Sequence, residues 1–361
     1  MGLNFFGQFY SCLGIPNHTR AFASSISDRI QNTILCPISP DQGDHYGLNE
    51  KLKSLFGQPN PSYPSLVFWY PDTYLEFLKS VPNSKPKIGY YIFEYTKIPS
   101  VYIDSLNSMD AICTASKWGV EVLKNNGVKI PCHVVPGGVD HSIFNSLNRS
   151  LDNKKFRFLL IGKTENRKGT DLVIRAFNEA FKGDRRVKLS LYIDNPHLRQ
   201  FNADEFLYSL KESYSLQYPI NNIEVRHFDD DISNVYNTHH VAVFGSKAEG
   251  IGLPIVEAMS SGMPVIVPFN SGITEYASSE NSILLTDLVK EEVKDPVFFP
   301  LGGYGEWNSP KVSDLALSMK WAYENYPKAC EKGKAAEEYM KTYYTWDIAA
   351  KKFTDILGIE G

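Results

Sequence analysis

The chain has 361 residues, more than one hydrophobic core ordinarily sustains, so two domains are expected. Its 43% hydrophobic and 22% charged content excludes a disordered chain, and a formal net charge of -4 argues against non-specific nucleic-acid binding. No run of about 18 apolar residues occurs, so no membrane-spanning helix is expected.

In chain order, the first half offers the apolar runs LNFFG, NTILC, SLVFWY, KIGYYIF, DAICTA and CHVVP. Helix-length segments such as TRAFASSISDRI and SKWGVEVLKNNG separate them, the second with Ser116 as N-cap and Gly127 as its stop. Continuous apolar strands between helices predict a parallel sheet covered on both faces. The text turns polar at SIFNSLNRSLDNKK, and the boundary is placed there: residues 1–150 form one domain and 151–342 the next. KFRFLLIG restarts the pattern, followed by the helix GTDLVIRAFNEAF and the runs KLSLYID, NIEVRHF, VAVFGS, PVIVP and SILLT. The reading is α/β, two doubly wound halves facing a cleft, with ligands beyond the carboxyl ends of the strands. The tail is strongly helical. Five cysteines lie without a C-x-x-C pair, which reads as buried free thiols in a reducing compartment. The opening MGLNFFGQFY has no basic n-region and no long apolar run, so a signal peptide is not expected and the location reads as cytoplasmic.

Three strand-to-helix turns could carry chemistry. Glu249-Gly250-Ile251-Gly252-Leu253-Pro254-Ile255-Val256-Glu257 brackets a glycine-rich turn with two carboxylates. Glycine allows close backbone approach, and N–H groups at a helix start suit a phosphate. Gly162 to Gly169 carries Lys163, Arg167 and Lys168, three cations that suit a diphosphate; by itself the cluster is weak evidence, since solvated polar turns with Lys and Arg are common. Gly7 to Arg20, including Gly14, is too long and too poor in glycine for a dinucleotide fingerprint. Asp229-Asp230-Asp231 has a D-x-D spacing but reads as an acidic helix start, and adjacent His239 and His240 do not form a metal pair, so no metal is expected.

Together these elements resemble glycosyltransferase family 4. Glu249 to Glu257 looks like the E-x7-E signature of retaining glycosyltransferases, within FGSKAEGIGLPIVEAMSSGMPVIVPFNSGITEYA, which is similar to that family's donor-site segment. GKTENRKGTDLVIRAF, TASKWGVEVLKNNGVKIPCHVVPGGVDHSIF and EYMKTYYTWDIAAKKFTDIL resemble further family segments in the family's order. The resemblance implies a GT-B fold of two Rossmann-like domains, with residues 343–361 as a helix crossing back to the first. It implies that Glu257 holds the donor ribose and Glu249 meets the transferred sugar. Gly250, Ile251, Gly252 and Leu253 would approach the diphosphate and sugar. Lys163 and Lys168 would neutralise the leaving diphosphate, with Gly14 in a loop closing over it. The implied activity is metal-independent, retaining transfer of a hexose-type sugar from a UDP-, GDP- or ADP-sugar to a glycan, lipid-linked or other hydroxyl acceptor. No other cofactor is implied, and a lipid-linked acceptor would bring peripheral membrane contact.

Two positions depart from the family pattern. Glu94 stands near the place of a sugar-facing histidine, where it is either an acceptor-side polar group or an ordinary surface acid. Lys163 replaces an arginine, keeping charge and losing bidentate geometry. These departures leave open a weak or inactive nucleotide-sugar-binding protein. A nicotinamide oxidoreductase is disfavoured by the missing G-x-G-x-x-G.

Overall fold

The computed structural model describes residues 2–11, 13–39, 47–151, 154–193, 202–213, 216–226, 232–295, 297–299 and 302–359. The chain divides into two units: Met1–Gly138 with Tyr343–Gly361, and Val139–Thr342. The polar stretch from Ser142 to Leu151 falls within the second unit.

Unit 1 holds strands β1 (Gly2–Gly7), β2 (Asn32–Pro37), β3 (Ser65–Phe68), β4 (Lys87–Tyr90), β5 (Ala111–Thr114) and β6 (Cys132–Val134). They pair in parallel in the order β2-β1-β3-β4-β5-β6. Helices α1 (Gly14–Arg29), α2 (Glu50–Ser54), α3 (Tyr74–Leu78), α4 (Ser100–Asn107) and α5 (Lys117–Asn125) connect them. Every residue of β1, β3 and β5 is buried, which is why these strands read as unbroken apolar text. The Ser116 side chain caps α5 by accepting from Gly119 N–H at 3.1 Å. Helix α1 begins earlier than the sequence pattern suggests, so Gly14 is its first residue and not part of an open loop. Pro16 is tolerated there because first-turn N–H groups have no intrahelical partner.

Unit 2 repeats the plan with β7 (Phe156–Ile161), β8 (Val187–Tyr192), β9 (Ile223–Arg226), β10 (Val241–Val243), β11 (Val265–Pro268) and β12 (Ile283–Leu285). Their order, β12-β11-β10-β7-β8-β9, is the doubly wound dinucleotide-fold order, with its reversal between β7 and β10. Helices α6 (Thr170–Phe181), α7 (Ala203–Ser213), α8 (Ile232–Asn237) and α9 (Leu253–Ser260) alternate with these strands. An antiparallel hairpin, β13 (Leu288–Glu292) and β14 (Glu306–Pro310), follows β12 and was not expected from the sequence. Its alternation is weak: Val289 is exposed, and the buried residues Trp307, Ser309 and Pro310 all lie on β14. Helices α10 (Val312–Glu324) and α11 (Tyr326–Tyr343) follow, and α6 and α10 share the core of Phe158, Phe177, Leu189, Val241, Ile266 and Met319. Among the described residues, no helix is long and apolar enough to cross a membrane.

Helix α12 (Trp346–Ile356) belongs to unit 1 although it follows unit 2 in sequence. Ala349, Ala350 and Phe353 complete the core of Phe5, Phe22, Ile26 and Tyr90. The Phe353 ring meets Phe22 edge-on at 5.8 Å, and Asp347 accepts from Arg29 at 2.8 Å. His18 lies edge-on to Trp346 at 4.8 Å, and burial lowers its pKa to about 3, so the ring stays neutral. Removing the Phe353 ring leaves a cavity in a core that two distant chain segments share. Phe353→Ala is expected to cost unit 1 about 3–5 kcal/mol. Native-state hydrogen exchange should show faster exchange in β1 and β3 with unit 2 strands unchanged; equal loss in both sheets would contradict the assignment of α12.

Candidate active site

Because β7 and β10 are neighbours at the strand-order reversal, the loops that leave their carboxyl ends run side by side. The first turns at Gly162, passes through Lys163, Thr164 and Glu165, makes a short turn at Asn166–Lys168, and enters α6 at Gly169. Gly169 has φ 59 and ψ 34, a left-handed conformation that glycine adopts without cost. The second loop runs from Phe244 to Gly252 and opens α9. The loops touch through backbone: a Cβ on Gly245 would lie 2.5 Å from the carbonyl oxygen of Gly169. Only glycine fits this contact. It brings Lys247 N–H to the Arg167 carbonyl at 2.8 Å.

Five charged side chains alternate across the two loops. Lys163 Nζ meets Glu165 Oε1 at 2.7 Å, and Arg167 Nη2 donates to Glu165 Oε2 at 2.9 Å. Arg167 Nη1 donates to Glu249 Oε2 and to the Ala248 carbonyl, both at 2.8 Å. Lys168 Nζ donates to Glu249 Oε1 at 2.7 Å, and Ser246 Oγ donates to the same oxygen at 2.7 Å. The middle three side chains are 5%, 7% and 4% exposed, whereas Lys163 and Lys168 at the ends are 31% and 15% exposed. Burial opposes ionisation of Glu249, but the Lys168 and Arg167 charges with the Lys168 and Ser246 hydrogen bonds outweigh it and hold its pKa at about 2. Burial likewise opposes the charge on Glu165, and Arg167 and Lys163 hold it below the usual carboxylate range.

The backbone of Glu249 is fixed from behind. Its N–H donates to Ser271 Oγ at 2.8 Å, and Ser271 Oγ donates to Asn270 Oδ1 at 2.9 Å. Asn270 Nδ2 donates to the carbonyls of Ser246, Lys247 and Asn308. Gly272 N–H donates to the Glu249 carbonyl at 2.8 Å, and a Cβ on Gly272 would lie 2.7 Å from that oxygen. Ile251 is buried, and its carbonyl accepts from Tyr276 Oη at 2.7 Å. Gly252, at φ 81, is the N-cap of α9 and supplies no side-chain cap; half-buried Leu253 is the first helical residue. Gly250 and Gly252 thus sit at a helix start of partial positive charge. The helix starts four residues before EAMSSG, because Pro254 is accommodated in its first turn.

Glu257, one turn further on, has the opposite electrostatics. It remains partly accessible yet is densely surrounded by protein, and Tyr236 Oη donates to its Oε2 at 2.6 Å. Burial pushes its pKa up to about 7, against the hydrogen bond from Tyr236. The other expected residues lie elsewhere: Gly14 is exposed at the start of α1 and Glu94 half-buried after β4, both in unit 1. Asp229, Asp230 and Asp231 lie outside the described residues. His239 and His240 are both buried just before β10; His239 Nδ1 meets the Val235 carbonyl at 2.7 Å and His240 Nδ1 accepts from Arg157 N–H at 3.1 Å. Among the described residues no group of three or more His, Cys, Asp or Glu is arranged to hold a metal ion.

The raised pKa of Glu257 has a consequence for stability. Between about pH 4.5 and pH 7 the folded state holds a proton that the unfolded state has lost, so stability falls as pH rises through that window. Glu257→Gln removes the ionisable group and is expected to stabilise ligand-free unit 2 at pH 8 by on the order of 2–3 kcal/mol, with little change at pH 4. Denaturant titrations of both chains across this range check it; parallel pH profiles would contradict it.

Comparison with known proteins agrees with this geometry. A model of the family described as "Family 4 Glycosyltransferase in conflict systems" matches residues 116–353, about two-thirds of the chain. Mannosylfructose-phosphate synthase of Agrobacterium fabrum is 24% identical over 170 residues, 44% of this chain and 37% of that protein. The chain thus spans little more than a third of that relative's length. The crystal structure of Anabaena HepE in complex with UDP-glucose aligns over 99% of both chains at 14% identity, with a TM-score of 0.69. Sucrose-phosphate synthase from Thermosynechococcus elongatus aligns over 99% of this chain and 98% of its own at 14% identity, with a TM-score of 0.73. At such identities the structures speak for the fold, two Rossmann-like sheets of the GT-B class. With the matched residues reaching from the α5 cap through both site loops and into α12, the chain belongs to the family 4 glycosyltransferases in conflict systems.

Proposed function

We propose that the chain transfers a hexose-type sugar from a nucleotide sugar to a hydroxyl of a glycan or lipid-linked acceptor, with retention of configuration and without a metal ion. The observation that carries this reading is the buried, ionised Glu249 beside two part-exposed lysines at the uncapped start of α9. The HepE complex with UDP-glucose supports a nucleotide-sugar donor.

In the reaction the bond from the anomeric carbon to the diphosphate oxygen breaks, and the acceptor oxygen bonds to that carbon on the same face. The acceptor proton passes to the departing phosphate oxygen. Negative charge grows on the diphosphate, and Lys163, Lys168 and the N–H groups around Gly250 to Leu253 stabilise it. Positive charge grows on the sugar, and Glu249 steadies it. Three of roughly four carboxylate acceptor positions on Glu249 are occupied by Lys168, Ser246 and Arg167, and it is buried. That supports an orienting, electrostatic role over a covalent nucleophile. Glu257 accepts from the ribose hydroxyls, which favour its ionised form. Gly14 and Glu94 are assigned to the diphosphate-closing and acceptor sides. A cytoplasmic location, with membrane-surface contact for a lipid-linked acceptor, completes the proposal.

A thermal-shift screen with UDP-, GDP- and ADP-sugars identifies the base, because a ligand at a hundred times its Kd adds about 2.7 kcal/mol. Glu249→Ala is expected to abolish sugar transfer, and Lys168→Ala to lower kcat by about 10²–10³-fold, as for loss of one charge-stabilising donor. Undiminished transfer in both variants, or no shift with any of the three donors, would defeat the proposal.

A further inference from the structure

We propose that Glu165 and Arg167 are positioning residues for the donor diphosphate: they do not touch it but fix the two lysines that do. This inference rests on the donor reading above and adds two residues to it. The alternating chain Lys163–Glu165–Arg167–Glu249–Lys168 has its three inner members buried and its two outer ammonium groups partly open. The inner three carry a net charge of -1, and the lysines at either end turn the set to +1. Each ammonium has three N–H donors, more than the one carboxylate it meets in this chain can use.

Arg167 is the member that makes the set a single unit. Its planar fork reaches Glu165 with one nitrogen and Glu249 with the other, and the second nitrogen also holds the Ala248 carbonyl. A lysine at this position would supply the charge without the fork. Glu165 in turn anchors Lys163, the more exposed of the two amines, whose Nζ also lies over the Phe298 ring, 5.6 Å from its centroid. An amine held before the ligand arrives loses less freedom on binding. By sharing Glu249 with Arg167, Lys168 is also left less tightly neutralised than it would be as the sole cation on that carboxylate.

Calorimetry of the full chain with UDP, GDP and ADP tests the chain of influence, using whichever binds the wild type most tightly. Glu165→Gln is expected to weaken binding about tenfold in the wild-type background and not at all in a Lys163→Met background, because it acts through that lysine. Arg167→Lys is expected to weaken binding about tenfold despite its conserved charge. Equal losses from Glu165→Gln in both backgrounds would mean a general structural role and overturn the inference, as would wild-type affinity in Arg167→Lys. If Arg167→Lys does not fold, the Glu165 and Lys163 cycle decides alone. A wild-type chain that binds none of the three diphosphates overturns the donor reading and this inference together.

Discussion

A carboxylate on a side chain that is 4% exposed stays ionised only if cations are brought to it, and the ion pairs of Glu249 with Arg167 and Lys168 meet that requirement. The cations come from one loop and the carboxylate from another, about eighty residues later. Their meeting depends on backbone contact between Gly169 and Gly245, which side chains would prevent. That contact in turn depends on β7 and β10 being neighbours, which the doubly wound strand order supplies. Sheet topology, glycine placement and buried charge therefore form one dependency, each useless to the site without the other two.

The two acids of the E-x7-E motif lie on the loop before α9 and on α9 itself, yet they differ in charge state because their partners differ. Glu249 has two cations and a hydroxyl; Glu257 has a tyrosine hydroxyl, itself kept protonated by burial and by the neighbouring acid. A carboxyl poised near neutrality is easily converted by the arrival of hydroxyl donors, whereas one held at about 2 is insensitive to them. One end of the motif is thus a fixed charge and the other an adaptable one.

Much of the fold was legible because its central strands are buried on both faces and so read as continuous apolar runs; all twelve parallel strands fall on runs that the sequence displays. The hairpin β13–β14 was not legible, since its strands alternate poorly and gain their place from Trp307 and the Lys247–Glu291 pair. Helix starts were misplaced at Gly14 and Leu253, where prolines just inside the first turn resemble breakers. Within the site, glycines and charges marked the loops, but Ser246, Asn270, Ser271 and Tyr236 carried no local signal. Their roles arise from partners that are close in space: Ser271 lies 22 residues from Glu249, and Tyr236 lies 21 from Glu257. Arg167 stood in view among the three cations of its loop, and only its burial distinguishes it from the two lysines.

The return of α12 to unit 1 orders events during synthesis. The core around Phe22 and Ile26 lacks Ala349, Ala350 and Phe353 until the roughly two hundred residues of unit 2 have been made. At about 5–20 residues per second, a ribosome takes on the order of ten to forty seconds over that stretch. Throughout that interval the face of α1 that α12 covers stays open, whereas unit 2, contiguous in sequence, has every strand and helix of its own core by the interval's end. The nascent protein therefore finishes its second unit before its first, and the growing chain carries an open hydrophobic face for chaperones to cover in the meantime.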